Sequence, residues 1–510
     1  MASNSQKNKR IAKNTLLLYI RMAFTMMVGL YTSRVILKTL GAEDFGIYNV
    51  VGGVIVMISF LTVPLAGTSS RYITYALGEG DKVHIEKVFS TIRIILLILS
   101  GIVFVFGQTV GLWFVLNKLV IPETRLTAAL WVYECSVFIT VVSIMSIPYN
   151  GLIIGHEQMN AFAYISVFEV LAKLLIVYLL SMMPFDHLVV YAVLLFIVQL
   201  IVRFLYVIYC RRHFEESKAK WIVDRKLGKE IFAFLGWCSF GSLAIFGYTQ
   251  GLNILLNLFF GPMLNAARGI AVQVQSATTQ LCSNFQMALN PQITKSYASG
   301  DYSYMHILLV NSSKFSFFLM LFVALPILVN TPFVLHLWLG KYPDYTEAFI
   351  RIMLLIALFE PLKNPLLISL QATGKIRKFQ IIEGIVQLAV VPVSYVLLKC
   401  GITDPIVVYL AYLFIEIVTQ IIRVKLILPR INLNMIYYLH KVMLPVFFVA
   451  VILLPPALLV DVESGWNSFV LSTLACFSVS ICVIFLIGMR QEERNFVIQK
   501  LSVIRNRLLH

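Results

Sequence analysis

Long apolar segments, each near the length that crosses a lipid bilayer, recur along the whole of this 510-residue chain. A helix needs about 20 consecutive apolar residues to span a bilayer, whereas the strands of a membrane barrel alternate over about 10 residues. The segments here do not alternate, so they predict transmembrane helices. The composition agrees, because 13% of the residues are charged, against about 25% in ordinary soluble domains.

Fourteen spans can be delimited by the apolar runs and the residues that interrupt them. Their predicted limits are 14–36, 46–76, 86–115, 124–150, 159–183, 187–210, 229–259, 264–294, 305–331, 345–371, 379–399, 404–428, 436–460 and 466–489. We predict an all-α polytopic membrane protein. Its predicted parts are an N-terminal six-helix lobe (1–210), a basic cytoplasmic linker (211–228), a C-terminal six-helix lobe (229–430), and two extra helices with a basic tail (431–510).

The basic residues orient the spans. Cytoplasmic loops of membrane proteins collect Lys and Arg. With the N-terminus inside, 26 of the 41 basic residues fall on the cytoplasmic side, six on the outer side and nine within spans. We therefore predict that both termini are cytoplasmic. This bias explains the net charge of +16 without a nucleic-acid partner, and the seven scattered cysteines indicate neither a disulfide framework nor a metal site. No cofactor is predicted.

Short motifs recur at an offset of about 220 residues. The matched segments are 40–46 with 260–265, 75–81 with 297–301, and 155–156 with 374–375. Each repeating unit has six helices, an even number, so both units enter the membrane from the same side. The duplication predicts two parallel lobes around a central cleft, related by an axis along the membrane normal.

Polar side chains follow one face of the predicted seventh and eighth helices. They are Gln250, Asn253 and Asn257, then Gln273, Gln280 and Asn284, with Thr278 and Gln286 beside them. Polar residues inside spans are costly and commonly face a cavity. Amides both donate and accept hydrogen bonds, which suits carbohydrate. The alternative is that these side chains bond neighbouring helices to one another.

Charged residues within the spans sharpen this interpretation. The basic ones are Arg21, Arg34, Arg71, Arg93, Lys173, Arg203, Lys314, Arg351 and Lys363, and the acids are Glu134, Glu169, Glu360, Glu383 and Glu416. Spacing predicts structural pairs for Glu169 with Lys173 and for Glu360 with Lys363. Lys314, Arg93 and Arg203 lie where their side chains can snorkel to the cytoplasmic surface.

Three arginines are left as candidates for binding an anion. Arg21 lies in a helix without acids, Arg71 follows a stretch of small residues, and Arg268 opens the eighth helix. Guanidinium groups form paired hydrogen bonds with phosphate oxygens. A cleft with a net positive charge therefore favours an anionic substrate.

The first helices resemble those of a known family. The segments 14–21, 31–37 and 40–51, with the element Leu40-Gly41-x-x-x-Phe45-Gly46-x-Tyr48, resemble bacterial polysaccharide flippases, the O-antigen and capsule repeat-unit exporters of the multidrug/oligosaccharidyl-lipid/polysaccharide (MOP) superfamily. The resemblance is densest over residues 14–81. It implies alternating access between two six-helix lobes, a cationic cavity, and a substrate of undecaprenyl-pyrophosphate-linked oligosaccharide in the bacterial inner membrane. Arg21 matches the basic residue of the family's first helix.

The resemblance also implies partners. These are the lipid-linked oligosaccharide of surface polysaccharides such as lipopolysaccharide, membrane lipids along the two extra helices, and a coupling ion. Two alternatives within the superfamily stay open: a flippase for the peptidoglycan lipid precursor, and a multidrug or cation exporter, which would need acids in its cavity. A membrane glycosyltransferase or polymerase is disfavoured, because the predicted outer loops are short and hold no pair of carboxylates for acid–base work.

Overall fold

The computed structural model describes residues 4–56, 61–119, 121–180, 182–218, 222, 224–459, 465–495 and 498–499. Over these residues the chain is helical and has no β-strand, which confirms the predicted all-α fold. Contacts divide the chain into two units. Unit 1 is Met1–Leu243 with Ala288–Asp301, and unit 2 is Ala244–Met287 with Tyr302–His510.

The described residues form nineteen α-helices. Unit 1 contains α1 (Asn4–Val56), α2 (Thr62–Glu79), α3 (Lys82–Phe106), α4 (Leu112–Lys118), α5 (Leu126–Gly155), α6 (Met159–Leu180) and α7 (His187–His213). Helices α8 (Arg225–Phe260) and α9 (Pro262–Ala298) each contribute one part to unit 1 and the rest to unit 2. Unit 2 also contains α10 (Tyr302–Val329), α11 (Thr331–Leu339), α12 (Thr346–Ala357), α13 (Glu360–Thr373), α14 (Arg377–Leu388), α15 (Val390–Lys399), α16 (Ile406–Ile427), α17 (Met435–Tyr438), α18 (Leu444–Leu459) and α19 (Trp466–Val483).

Helix α5 lies at the centre of unit 1, where it packs against α2, α3 and α7. Two of its glycines, four residues apart, allow a close approach to α2. A Cβ atom on Gly151 would lie 3.1 Å from the Ser69 hydroxyl, and one on Gly155 would lie 3.0 Å from a methyl of Leu77. Small residues at this spacing let the backbones of membrane helices approach closely. This contact fixes α2, which carries Arg71, on the apolar core of the unit.

Unit 2 is organised around two helices. Helix α10 is largely buried and packs against α13, α18 and α19. Helix α16 packs against α12, α14 and α15. The apolar faces of these helices fill the unit, so a charged group on α10 or α16 needs a partner inside it.

Helix boundaries in the two halves of the sequence correspond. Helices α3 and α10 begin at Lys82 and Tyr302, and α5 and α12 begin at Leu126 and Thr346, in both cases 220 residues apart. The same spacing that relates the repeated motifs thus relates the starts of the helices. The duplication extends from the motifs to the local structure.

Glycines with a left-handed backbone stand at two matched joints. Gly41 (φ 78°) corresponds to Gly261 (φ 81°), and Gly80 (φ 80°) corresponds to Gly300 (φ 76°). An L-residue with a Cβ atom is strained at such angles, whereas glycine is not. The repeated motifs therefore mark joints at which the chain turns between helices.

Eleven described segments are long and apolar enough to cross a membrane by length and composition. The other predicted spans, 14–36, 46–76 and 264–294, correspond to α1, α2 and α9, whose polar side chains lower their hydropathy. The chain is thus a multi-pass membrane protein with about fourteen membrane helices.

Some predicted limits are wrong. The span 46–76 is divided, because α1 runs past Gly41 to Val56 and α2 begins at Thr62. The predicted loop after residue 331 contains α11. Apolar character signals burial in lipid or protein but does not mark where a helix breaks. The lobe boundaries at residues 210 and 229 stay predictions, and most of the tail after Arg490 lies outside the described residues.

Candidate functional site

Three candidate residues form one hydrogen-bonded chain between α8 and α9 in unit 2. Arg268 is 5% exposed, and its Nη1 donates to Asn253 Oδ1 at 3.0 Å and to the Thr249 carbonyl at 3.1 Å. Asn253 Nδ2 in turn donates to Gln250 Oε1 at 3.2 Å. The fold therefore joins the basic start of α9 to the amide face of α8. The result is a buried guanidinium whose recorded partners are neutral.

The other candidates of unit 2 divide by exposure. The side chains of Asn257, Gln273 and Gln280 are exposed. Asn284 is 3% exposed, and its Nδ2 donates to the backbone carbonyl of Gln280 at 2.9 Å. Asn284 therefore does not share the exposure of Gln273 and Gln280, although helical spacing puts all three on one stripe.

Gln286 bonds neighbouring helices, as the alternative interpretation of the polar stripe requires. It is 3% exposed, its Nε2 donates to the Pro361 carbonyl at 2.9 Å, and its Oε1 accepts from Asn364 Nδ2 at 2.8 Å. Helix α9 thus carries polar residues of two kinds, exposed amides and an amide that ties it to α13. Periodicity alone could not separate them.

The two candidates of unit 1 lie against aromatic rings. The Arg71 guanidinium carbon is 4.3 Å from the centroid of the Tyr72 ring, 4.9 Å from that of Tyr75 and 5.3 Å from that of Phe234. The corresponding distance from Arg21 to the Phe162 ring is 4.6 Å. The electron-rich faces of the rings stabilise the cation without neutralising its charge. Both arginines can therefore carry positive charge inside unit 1.

One buried charge cluster escaped the sequence analysis. Arg423 of α16 is fully buried, its Nε donates to Glu383 Oε1 at 2.6 Å, and its Nη1 donates to Glu416 Oε1 at 2.5 Å and to Gln420 Oε1 at 3.2 Å. The signal was the seven-residue spacing of Glu416 and Arg423, two turns along one helix face. Arg423 differs from Arg268 because two glutamates compensate its charge.

Other intramembrane charges are paired. The predicted pairs Glu169–Lys173 and Glu360–Lys363 are confirmed, with N–O distances of 2.6 and 3.0 Å. The prediction that Lys314 snorkels is wrong, because this side chain is fully buried and forms an ion pair with Glu493. Glu493 lies after the last helix, so only the tertiary structure could identify it as the partner.

A cavity of about 520 Å³ lies elsewhere in unit 2, at the start of α12. It is lined by residues between Tyr342 and Leu355 and by Leu458, and none of the nine candidate residues belongs to it. Among these lining residues, only Arg351 was noted from the sequence, as a basic residue inside a span.

An all-helical, multi-pass chain with a duplicated six-helix plan and arginines within its spans is a membrane transporter in its architecture. The family model described as "Polysaccharide biosynthesis protein" matches residues 11–332. The chain belongs to this family, and the predicted membership of the polysaccharide exporters in the MOP superfamily is confirmed. No curated protein matches the chain.

Solved structures share the fold. A multidrug resistance MATE family transporter of the MOP superfamily, in an outward-facing conformation, has a TM-score of 0.73 at 15% identity, over 84% of this chain and 96% of that chain. A MOP superfamily transporter from Pyrococcus furiosus, described as having a binding pocket of reverse polarity, has a TM-score of 0.70 at 15% identity over the same shares. A MATE structure in complex with MaL6 has a TM-score of 0.70 at 15% identity, over 85% of this chain and 99% of that chain. At this identity the likeness shows the fold alone.

Proposed function

We propose that this protein is a flippase that moves undecaprenyl-pyrophosphate-linked oligosaccharide repeat units across the bacterial inner membrane by alternating access. One observation carries the proposal. Arg268 is buried in unit 2 with its guanidinium bonded to the neutral Thr249 carbonyl and Asn253 amide, whereas Arg423 in the same unit is compensated by two glutamates. An uncompensated guanidinium inside a membrane protein is costly unless an anion binds it. A pyrophosphate is such an anion, and the neighbouring amides offer hydrogen bonds to sugar hydroxyls.

The proposal extends to the other candidates and to topology. Arg21 and Arg71 provide positive charge in unit 1, and the exposed amides Gln273 and Gln280 provide contacts for the glycan. Both termini are cytoplasmic, and the glycan is a repeat unit of a surface polysaccharide such as the O-antigen of lipopolysaccharide. A coupling ion supplies the energy. Reporter fusions at His510 and within residues 461–466 test the topology, and an extracytoplasmic C-terminus would contradict it.

Complementation of a strain that lacks its polysaccharide flippase tests the substrate. Arg268→Ala should abolish surface polysaccharide at an unchanged membrane level, and Arg268→Lys should keep part of it, because the charge remains while the paired donors are lost. Arg203→Ala, a change at a half-buried arginine of α7, is the matched control and should be mild. Arg423→Ala should instead lower the membrane level, since it leaves two buried glutamates uncompensated.

A multidrug exporter is the second candidate, because the solved structures of this fold include a multidrug resistance transporter. The charge of the site separates the two. A cation exporter would be improved or unaffected by Arg268→Ala, and the strain would become resistant to cationic drugs without recovering polysaccharide. A peptidoglycan-precursor flippase would complement loss of that essential flippase instead.

A further inference from the structure

The cavity at the start of α12 has the lining of a ligand site. Its volume of about 520 Å³ falls within the range of about 300–1,000 Å³ that is typical of small-molecule sites, which combine aromatic walls with a few polar groups. We propose that it binds a sugar unit of the exported glycan, at a site distinct from the arginine and amides of α8 and α9. This inference rests on the proposed function.

The polar groups of the cavity are mainly acceptors. Tyr342 Oη donates to Glu347 Oε1 at 2.6 Å. Burial and this bond raise the pKa of Tyr342 to about 12, so the phenol stays protonated. Among the described residues the Asp344 carboxylate has no hydrogen-bond or ion-pair partner, and it lines the cavity. Carboxylates are strong acceptors for hydroxyl groups.

Arg351 supplies a donor. Its Nε is buried and has no hydrogen-bond partner among the described residues, although the residue lines the cavity. A buried donor without a partner is destabilising, so such a group indicates a missing acceptor, either a ligand oxygen or water. With Asp344 and Glu347 ionised, the lining carries one net negative charge. This charge disfavours pyrophosphate and leaves the neutral, hydroxyl-rich part of the substrate.

Tyr345 gives the cavity an aromatic wall. Its backbone is left-handed (φ 65°) and its side chain is 43% exposed. A bulky residue in this conformation is uncommon, and strained residues cluster at ligand sites. Its ring centroid lies 6.1 Å from that of Phe349, which stacks 4.2 Å from Tyr409. A tyrosine held in this way offers an apolar surface to the C–H face of a sugar and a hydroxyl to its edge.

The position along the chain assigns a stage of transport. The lining from Tyr342 to Tyr345 lies in the predicted outer connection between the spans 305–331 and 345–371. In the proposed topology this end is extracytoplasmic. The cavity would therefore hold the glycan after translocation, before the next machinery takes it.

The test is direct binding to the full-length protein purified in detergent. The probe is the repeat-unit oligosaccharide that mild acid releases from the lipid-linked pool of the cell that makes this protein. We expect the wild type to bind it, Tyr345→Ala and Glu347→Gln each to weaken binding at least tenfold, and Tyr345→Phe to retain it. Tyr437→Ala, at a tyrosine of unit 2 that is 40% exposed and does not line the cavity, is the matched control and should bind as the wild type does.

Two outcomes would overturn the inference. One is an absence of binding by the wild type, and the other is unchanged binding by a folded Tyr345→Ala/Glu347→Gln double variant. Competition by inorganic pyrophosphate that depends on Arg351 would also contradict a sugar site. The proposed function fails separately, as a failure of the wild type to complement the flippase-null strain. Arg268→Ala should block export yet keep oligosaccharide binding at this cavity.

Discussion

The joint that precedes α5 in unit 1 and the joint that precedes α12 in unit 2 are two copies of one element. Arg125 and Tyr345 occupy the same place in the repeat, 220 residues apart, each immediately before the first residue of its helix. In unit 1 this residue is held by acids. In unit 2 it borders an open cavity.

Arg125 closes the joint of unit 1 with an ion cluster. Its Nε donates to Asp44 Oδ1 at 2.8 Å, its Nη2 forms a second bond to Asp44, and its Nη1 donates to Asp186 Oδ2 at 2.5 Å. Asp186 also caps α7 by accepting from the backbone N–H of Leu188 at 3.0 Å. The cluster therefore ties α1, just after its kink at Gly41, to the starts of α5 and α7.

The joint of unit 2 lacks these charges. Leu264, which is 8% exposed, stands at the place of Asp44, and only the helix-start contact is kept, from the Ile406 N–H to Asp404 Oδ1 at 2.9 Å. The comparison teaches that duplication preserved the backbone joint while the side chains diverged. One copy serves stability, and the other is open to a ligand.

Loss of the acid in the closed joint should have the largest effect. Asp44→Ala removes two charge-assisted hydrogen bonds from Arg125, each of a kind worth about 1.5–3 kcal/mol, so we expect about 2–3 kcal/mol less stability. Thermal unfolding in detergent measures it, with Glu123→Ala at an exposed neighbour as the control. An unchanged melting temperature for Asp44→Ala would mean that the cluster does not stabilise unit 1.

The glycine joints test what the two copies still share. Gly41→Ala and Gly261→Ala each place a Cβ atom in a left-handed backbone, although nothing lies within 4 Å of either position. The cost should be the conformational strain alone, about 1–2 kcal/mol at each site. Melting temperatures of the two variants should fall by similar amounts, and Gly29→Ala, at a glycine without positive φ, should not lower the melting temperature. A large difference between the two joints would refute their equivalence.

The single retained contact in unit 2 should have a modest effect. Asp404→Ala removes one hydrogen bond to the start of α16, worth about 0.5–1.5 kcal/mol. Asp404→Asn keeps an acceptor and should be close to the wild type. If Asp404→Ala costs as much as Asp44→Ala, the open joint is stabilised by charge after all.

The smallest expected effect is a dependence on pH that belongs to unit 1. Partial burial raises the pKa of Asp186, but hydrogen bonds from Arg125 and from the N–H groups of Val189 and Leu188 outweigh it and hold that pKa below its ordinary value. This contribution to stability is complete above the ordinary carboxyl pKa of about 4 and is lost as the pH falls through the lowered value. Melting curves from pH 6 down to pH 3 should show it, and Asp186→Asn should reduce the slope.

Hydropathy predicted most of the fold, because the bilayer imposes a length and an apolar character on every span. The helices with the weakest apolar signal, α1, α2 and α9, carry six of the nine candidate residues. The family-like motif from Leu40 to Tyr48 and the repeated glycines were visible as letters. Their role as left-handed joints follows from the need for φ values that only glycine adopts without strain.

The sequence by itself determined that this chain is a helical membrane protein with a duplicated plan and arginines inside its spans. These properties follow from composition, periodicity and offset, which are local or additive. Only the tertiary structure decided which arginines are compensated, because the partners of Arg423, Arg125 and Lys314 come from helices or loops distant in sequence. It also decided that Tyr345 borders a cavity while its counterpart is closed, since an empty volume depends on the packing of several helices at once.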